Sequence, residues 1–400
     1  MIPLHYDFHD YDQPIDRTDT NCDKWDGMMA REGRPMLPMW VADMDFRCPP
    51  EVAQALADRA AHPVYGYTEQ SDQQVEAMLA FLARRHGITL TAEQQITMPC
   101  VVTGLKAAVR TLAQPGEGVL IQPPVYGPFE ESIRCNDRRV VESPLLRDEA
   151  GYYTMDYAGV EAAFQSGVKV MLLCNPHNPV GRLWSRAELD RLYALVQQYD
   201  VTLISDEIHM DFVFERGAFV SALHLDNSES AKIVVLTSAS KTFNLAGLKQ
   251  ATLLSRNPSL RRKLLKDMHQ AGVVSGNIFS YVATEAAFRH GDAWLDGLLA
   301  YLAAGEKLVR RELAERLPKA IMSPLEATYL AWVDLRAYGM DTDTLMKRCS
   351  AHGVAFTPGV FFGKQAGEGF LRINFACPHS QTIEALKRLE AAVKEDPAQG

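Results

Sequence analysis

The run Ile233-Val234-Val235-Leu236-Thr237-Ser238-Ala239-Ser240-Lys241-Thr242-Phe243-Asn244-Leu245-Ala246-Gly247-Leu248-Lys249 places one lysine among hydroxyls directly after four apolar residues. The apolar four read as a buried strand. The small, polar turn behind them lies where an open α/β sheet exposes its chemistry, at the carboxyl end of a strand. Most lysines are solvated surface charges. An amine kept neutral by desolvation or by neighbouring cations can instead attack a carbonyl and form a Schiff base. Ser/Thr-rich turns also follow strands for conformational reasons alone, so this stretch by itself leaves both readings of Lys241 open.

Two more apolar strands end in polar clusters. Residues 168–174 are followed by Asn175-Pro176-His177-Asn178-Pro179-Val180-Gly181, and 201–205 by Asp206-Glu207-Ile208-His209. In a doubly wound sheet all three clusters converge on one crevice. Taken singly, Asn-Pro runs are turns, an Asp after a strand caps a helix, and a lone His is structural. Their recurrence after three strands weakens those readings.

Around these strands the chain alternates. Strands are expected over 119–121, 139–141 and 233–236, helices over 129–135 and 157–165, and Ser185-Arg186-Ala187-Glu188 is a capping box for a further helix. Upstream, residues 1–45 lack periodicity and read as an extended arm packed on the body. A helix is expected from Pro50 to about Ala61, a turn at Tyr65-Gly66-Tyr67, a helix opened by Ser71 or Asp72, and another from about Gly104 to Ala113. Continuous apolar strands alternating with amphipathic helices give an α/β domain with a parallel sheet covered on both faces. From Pro258 the texture changes to long helices over 258–271, 276–290 and 292–316. A half-buried strand over 328–335, a helix over 341–352, a strand over 369–375 and a closing helix from Ser380 then make a smaller α+β domain. The expected division is an arm at 1–48, a large domain at 49–291 and a small domain at 292–400, with a frayed end at 396–400.

Bulk properties exclude several classes. The chain has 400 residues, 47% hydrophobic and 23% charged, as soluble globular proteins do. A net charge of -9 gives no reason to expect nucleic acid or an anionic membrane as partner, and Arg261-Arg262-Lys263 reads as a solvated helix face. Cys22, Cys48, Cys100, Cys135, Cys174, Cys349 and Cys377 form no C-x-x-C pair, and no His cluster has zinc spacing, so neither a disulfide framework nor a metal site is expected. The acidic start, MIPLHYDFHDYDQ, lacks the form of a signal peptide. No apolar run approaches the roughly 18 residues that span a bilayer. A reducing cytoplasm is the default setting.

The set Asn178-Pro179-x-Gly181, Asp206-x-x-His209 and Ser238-x-Ser240-Lys241 resembles the pyridoxal-phosphate enzymes of the aspartate aminotransferase fold, the class I/II aminotransferase superfamily of fold type I. Lys24-Trp25-Asp26, Trp40-Val41-Ala42-Asp43-Met44-Asp45-Phe46, Tyr65-Gly66-Tyr67-Thr68-Glu69 and Ser205-Asp206-Glu207-Ile208-His209 resemble its cystathionine β-lyase (C-S lyase, MalY/PatB-like) branch. The resemblance covers nearly the whole chain. It implies a mostly parallel sheet of the seven-stranded type and pyridoxal 5′-phosphate as cofactor. Lys241 would carry the cofactor and then act as general base at Cα. Asp206 would keep the pyridine nitrogen protonated so that the ring can withdraw electrons. Asn178 would donate to the phenolic oxygen. His209 would lie beside it, where aminotransferases usually carry Tyr, a departure that bears on its protonation.

For the phosphate, the resemblance implies Ser238, Ser240, Lys249 and the turn at Val101 and Val102, with Tyr65 reaching in from the second subunit of a homodimer. Relatives generally carry Gly where this chain has Cys100. A buried, inert thiol is the simpler account of that residue. Tyr126 would stack on the cofactor, although a core Tyr fits the Pro-Pro-Val-Tyr turn nearly as well. Alternation would put Arg372 inside an apolar strand, and its fork suits a substrate α-carboxylate. Val41 and Ala42 of the arm would wall the substrate pocket.

Once Cα is deprotonated, two outcomes compete. Reprotonation on the cofactor gives transamination, while loss of a thiolate from Cβ gives β-elimination to pyruvate and ammonia. The branch resemblance favours a C-S β-lyase acting on a small sulfur amino acid, cystathionine (releasing homocysteine) or a related cysteine S-conjugate. An aminotransferase, and a ligand-sensing or regulator-binding protein on the same fold, are the alternatives.

Overall fold

The computed structural model describes residues 6–273 and 276–395. The end expected to fray, 396–400, lies outside them, as do the first five residues of the arm. One sheet of seven strands dominates: β1 (Gln95–Met98), β2 (Gly118–Ile121), β3 (Arg139–Glu142), β4 (Val170–Cys174), β5 (Thr202–Asp206), β6 (Ile233–Thr237) and β7 (Ala251–Leu254). Their spatial order is β1-β7-β6-β5-β4-β2-β3. Strands β2 to β6 run parallel, and β7 is antiparallel to both β6 and β1. Strands β2, β4, β5, β6 and β7 are buried along their whole length, which is why the parallel ones read as unbroken apolar runs.

Strands β1 and β7 are not evident from the sequence pattern. Each is four residues long and each carries Thr or Gln among its apolar residues. The helices follow their caps: Ser71 accepts from Gln74 N ahead of Asp72–His86, and Ser185 and Glu188 form the expected capping box. Asp292–Arg316 spans 25 residues. The helix expected from Gly104 begins earlier, at Val101, so its first turn follows Cys100 directly.

The arm is not simply extended. It contains short helical pieces at Phe8–Tyr11, Asp23–Gly27 and Met28–Glu32. Aspartates cause this locally: Asp7 caps the first piece, and the Asp26 carboxylate accepts from the backbone N–H groups of Asp19, Thr20 and Cys22. Leu37–Pro38 then pairs in parallel with Val354–Ala355. The C-terminal part builds an antiparallel sheet in the order Ile321–Met322, Leu330–Asp334, Phe370–Asn374, Thr357–Pro358. Leu330–Asp334, expected to be half-buried, is buried at every residue, because its two faces share one core with Leu386 and Leu389 on the closing helix and Phe212 after β5. Among the described residues no helix is long and apolar enough to cross a membrane, and no group of three or more His, Cys, Asp or Glu could hold a metal ion.

The segment 41–46 is tied down from several directions. Asp45 receives Lys24 Nζ at 2.7 Å, Arg17 Nη1 at 2.7 Å and Trp25 Nε1 at 3.0 Å. Asn374 Nδ2 donates to the carbonyls of Val41 and Asp43, and Asn244 Nδ2 to those of Met44 and Phe46. Lys24 and Asp45 are both 1% exposed, so removing one leaves a buried charge without its partner, at a cost of about 3–5 kcal/mol. Asp45→Ala is therefore expected to lose that much stability in chemical denaturation, and a loss below about 1 kcal/mol would show the pair to be energetically idle.

Candidate active site

Strands β4, β5 and β6 are adjacent and parallel, with Cys174 level with Asp206 and Asp206 level with Leu236. Their carboxyl ends therefore deliver three segments to one place. A cavity of about 640 Å³ opens there. From the sheet come Asn178, Asp206 and His209. The turn after β6 supplies Ser240, Lys241 and Lys249, and the start of helix Val101–Leu112 supplies Val101 and Val102. The arm adds Val41 and Ala42, and Tyr126 and Arg372 complete the wall.

Lys241 is held by the arm: its Nζ donates to the Ala42 carbonyl, which also accepts from Tyr329 OH at 3.4 Å. Burial lowers the Lys241 ammonium to about 8, with Arg372 and Lys249 acting the same way and Asp43 and Asp206 opposing. A neutral amine is thus accessible near neutral pH. Asp206, deeply buried, accepts from Ile208 N at 3.1 Å. Burial raises its carboxyl to about 7 against the pull of that bond and of Lys241. Burial also lowers His209 to about 3, with Lys241 and Arg372 adding to the effect, so this ring is neutral. Its Nδ1 is buried with no hydrogen-bond partner.

Arg372 has neutral company. Nη1 donates to Asn178 Oδ1 at 3.1 Å, and Nη2 to the Trp40 carbonyl at 2.9 Å and Thr357 Oγ1 at 3.2 Å. Its Nε is buried without a partner, and the guanidinium lies 4.8 Å over the Phe362 ring. Burial lowers it to about 10. A buried cation of this kind, hydrogen-bonded to neutral groups, can receive an anion.

A second anion site faces the helix start. Cys100, the N-cap of Val101–Leu112, makes no side-chain capping bond, which leaves first-turn N–H groups beside a cavity that Lys249 also lines. Cys100 itself is half-buried and lines the cavity, its Sγ 3.2 Å from Thr103 Oγ1, so the expectation of a fully buried thiol does not hold. These features suit a phosphorylated aromatic cofactor: a reachable amine, a carboxyl whose charge needs a cation beside it, and amides with a lysine for the phosphate.

Two expected residues lie elsewhere. Ser238 does not line the cavity: its hydroxyl donates to the Gln250 carbonyl at 2.6 Å and accepts from Ser240 N at 2.9 Å, capping the turn that carries Lys241. Tyr65 is 58% exposed, with its OH donating to the Ala60 carbonyl at 2.6 Å and its ring near Phe279. Some participants escaped sequence reasoning. Thr357 pairs with Arg372 in register on a two-residue strand, too short for any periodicity to reveal, and the Trp40 contribution is a backbone carbonyl. Cys174, at the end of β4, accepts from Asn178 N at 3.4 Å.

The family profile described as aminotransferase class I and II matches residues 34–389. The chain is 36% identical over 386 residues to cystathionine beta-lyase PatB of Bacillus subtilis, covering 96% of this chain and 99% of that one. Cystalysin of Treponema denticola, solved with a pyridoxal 5′-phosphate cofactor, superposes with a TM-score of 0.93 at 32% identity, over 98% of this chain and 99% of that one. The PLP-bound C-S lyase of Staphylococcus hominis gives 0.89 at 33% identity, over 98% and 99%. With a lysine, a carboxyl and a helix start gathered at the strand ends, the chain belongs to the pyridoxal-phosphate-dependent class I and II aminotransferase family, in the company of its C-S lyases.

Proposed function

We propose that this protein is a pyridoxal-phosphate-dependent C-S β-lyase that cleaves cystathionine or a related cysteine S-conjugate to a thiol, pyruvate and ammonia. The observation that carries this reading is the likeness, over 96% of the chain, to a cystathionine β-lyase. When bound, pyridoxal 5′-phosphate supplies a carbonyl that takes up amines and a ring that draws off the electron pair left at Cα. Lys241 Nζ would hold that carbonyl carbon, and the same amine, when free, would take the proton from Cα. Its position near about 8 supports both tasks. Asp206 holds a proton on the ring nitrogen. Asn178 accepts from Arg372 through Oδ1, which leaves Nδ2 for the ring's phenolic oxygen, and neutral His209 lies beside it. Val101, Val102, Ser240 and Lys249 receive the phosphate. Ser238 serves by shaping the turn, and Tyr126 walls the ring and substrate.

Arg372 receives the α-carboxylate in two parallel bonds, with Val41 and Ala42 closing the pocket from the arm. The division into arm 1–48, large domain 49–291 and small domain 292–400 belongs to this reading, since the pocket forms where all three meet. So does a homodimer, in which Tyr65, exposed on its own chain, would reach a phosphate in a second copy. All seven cysteines are free thiols, which suits a reducing cytoplasm.

Cystathionine supplied without any keto acid is expected to release thiol and pyruvate, and Lys241→Ala to abolish both together with the visible absorbance of the loaded protein. Amino transfer that requires a keto acid and releases no thiol would replace the lyase by an aminotransferase. Arg372→Lys keeps the charge but loses the fork, so KM for the amino acid should rise by about 10- to 100-fold, the equivalent of about 1.5–3 kcal/mol in charged hydrogen bonds; an unchanged KM places the carboxylate elsewhere. Sedimentation should give twice the chain mass, and Tyr65→Phe should weaken cofactor binding without altering that mass. A monomer with full activity would rule out the shared site.

A further inference from the structure

Lys241 sits on a helix of one turn, Ala239–Thr242. Four residues cannot fix their own orientation, because nucleating a helix spends the order of several dihedrals on a single hydrogen bond. The direction in which Nζ points is therefore imposed from outside the turn. At the amino end Ser238 does this through Ser240 N and the Gln250 carbonyl. The carboxyl end is held by a group outside the cavity.

Thr242 is 1% exposed, and its Oγ1 donates to Asp211 Oδ2 at 2.7 Å. The other oxygen of Asp211 meets His86 Nε2, also at 2.7 Å. Asp211 follows Asp206 and His209 in the segment after β5, and His86 is the last residue of helix Asp72–His86. One carboxylate thus joins the Lys241 turn to the segment that carries the cavity's carboxyl and imidazole, and both to a third element. Burial works to raise the Asp211 carboxyl, but His86, Thr242 and Arg85 more than offset it and hold it below the usual range. An ionised carboxylate only accepts, so Thr242 and His86 must both donate, which makes the arrangement directional. Phe81 and Phe219 present ring contacts to His86 at 6.2 and 5.5 Å and fix it in turn. Asp211 and His86 line a separate cavity of about 460 Å³ that shares no residue with the one around Lys241.

We propose that Asp211 is a positioning residue for Lys241: acting through Thr242, with His86 as its second donor, it fixes the rotation of the one-turn helix and hence the direction of Nζ. The inference rests on the reading of Lys241 given above. Arg372, Val101, Val102 and Lys249 lie outside the clamped turn, which carries Ser240 beside Lys241, so its loss misaims the base without loosening the substrate carboxylate. A misplacement of about 1 Å at a reacting group is worth about 100-fold in rate.

The test compares Thr242→Val, which keeps shape and removes the donor, with Thr242→Ser, which restores it, and with Asp211→Asn. Each purified protein is loaded with pyridoxal 5′-phosphate, and the pH midpoint of its visible absorbance, kcat, KM and Tm are measured. Thr242→Val should shift the midpoint and lower kcat by about 10- to 100-fold with KM little changed, and Thr242→Ser should return both towards the unaltered protein. Asp211→Asn should match Thr242→Val, and the double variant should be no worse, as expected of residues that act as one unit. If Asp211→Asn fails to fold, the Val and Ser pair decides alone. A Thr242→Val protein with unaltered midpoint and kcat overturns the proposal, even if its Tm falls. Failure of the unaltered protein to develop visible absorbance overturns the reading of Lys241 and this proposal with it.

Discussion

Two cations of one cavity, the half-buried Lys241 and the buried Arg372, neither in an ion pair among the described residues, set the terms for the whole molecule. Lys241 and Arg372 both face one cavity, and burial lowers them to about 8 and about 10. At about 1.4 kcal/mol per pKa unit, the Lys241 shift alone corresponds to roughly 3 kcal/mol of unfavourable burial of charge. That energy must come from packing and hydrogen bonding elsewhere. The fold supplies it through fully buried strands on the cavity's floor and, in the second sheet, the fully buried strand Phe370–Asn374 that carries Arg372.

The arm connects these two halves. Its Ala42 carbonyl meets Lys241 and its Trp40 carbonyl meets Arg372, so a few consecutive residues touch both cations. Backbone carbonyls can do this only when the backbone is fixed. The Asn374 and Asn244 side-chain amides fix it, each donating to two arm carbonyls, while the Asp45 carboxylate gathers Arg17, Lys24 and Trp25 beneath it. A chain segment without periodicity thereby becomes one of the most constrained parts of the site.

The same contrast explains what could be read from the sequence. Four of the five parallel strands, β2, β4, β5 and β6, were legible because burial on both faces demands apolar residues, and Asn178, Asp206 and Lys241 were legible because each lies at or after the end of such a strand. Strands β1 and β7 were not, since four residues including Thr or Gln give no decisive pattern. The arm's short helices were also hidden: they arise from aspartate side chains that satisfy local amides, which periodicity does not report. Ser238 caps the Lys241 turn through Ser240 N and the Gln250 carbonyl, a local contact of a hydroxyl at the start of a turn that periodicity does not report. Trp40 contributes through its carbonyl, an atom every residue possesses. Cys100 lies on the cavity wall rather than hidden, a position that its place in the sequence did not reveal.

The polarity of the cavity then limits what can fill it. Arg372 asks for an anion held in a plane, and the start of helix Val101–Leu112 with Lys249 asks for a second. Asp206 asks for the opposite. With its carboxyl raised to about 7, it is not fully ionised near neutral pH unless a cation lies against it. Neutral His209 cannot serve as that cation. A simple dicarboxylate would satisfy both anion sites and leave Asp206 half protonated and unpaired. A phosphorylated, protonatable ring joined to an amino acid satisfies all three at once, and it brings a carbonyl to Lys241, whose ammonium burial lowers. The electrostatics of the cavity therefore suit the cofactor and an amino acid together, while the choice between elimination and transamination falls to groups that govern where the proton goes next.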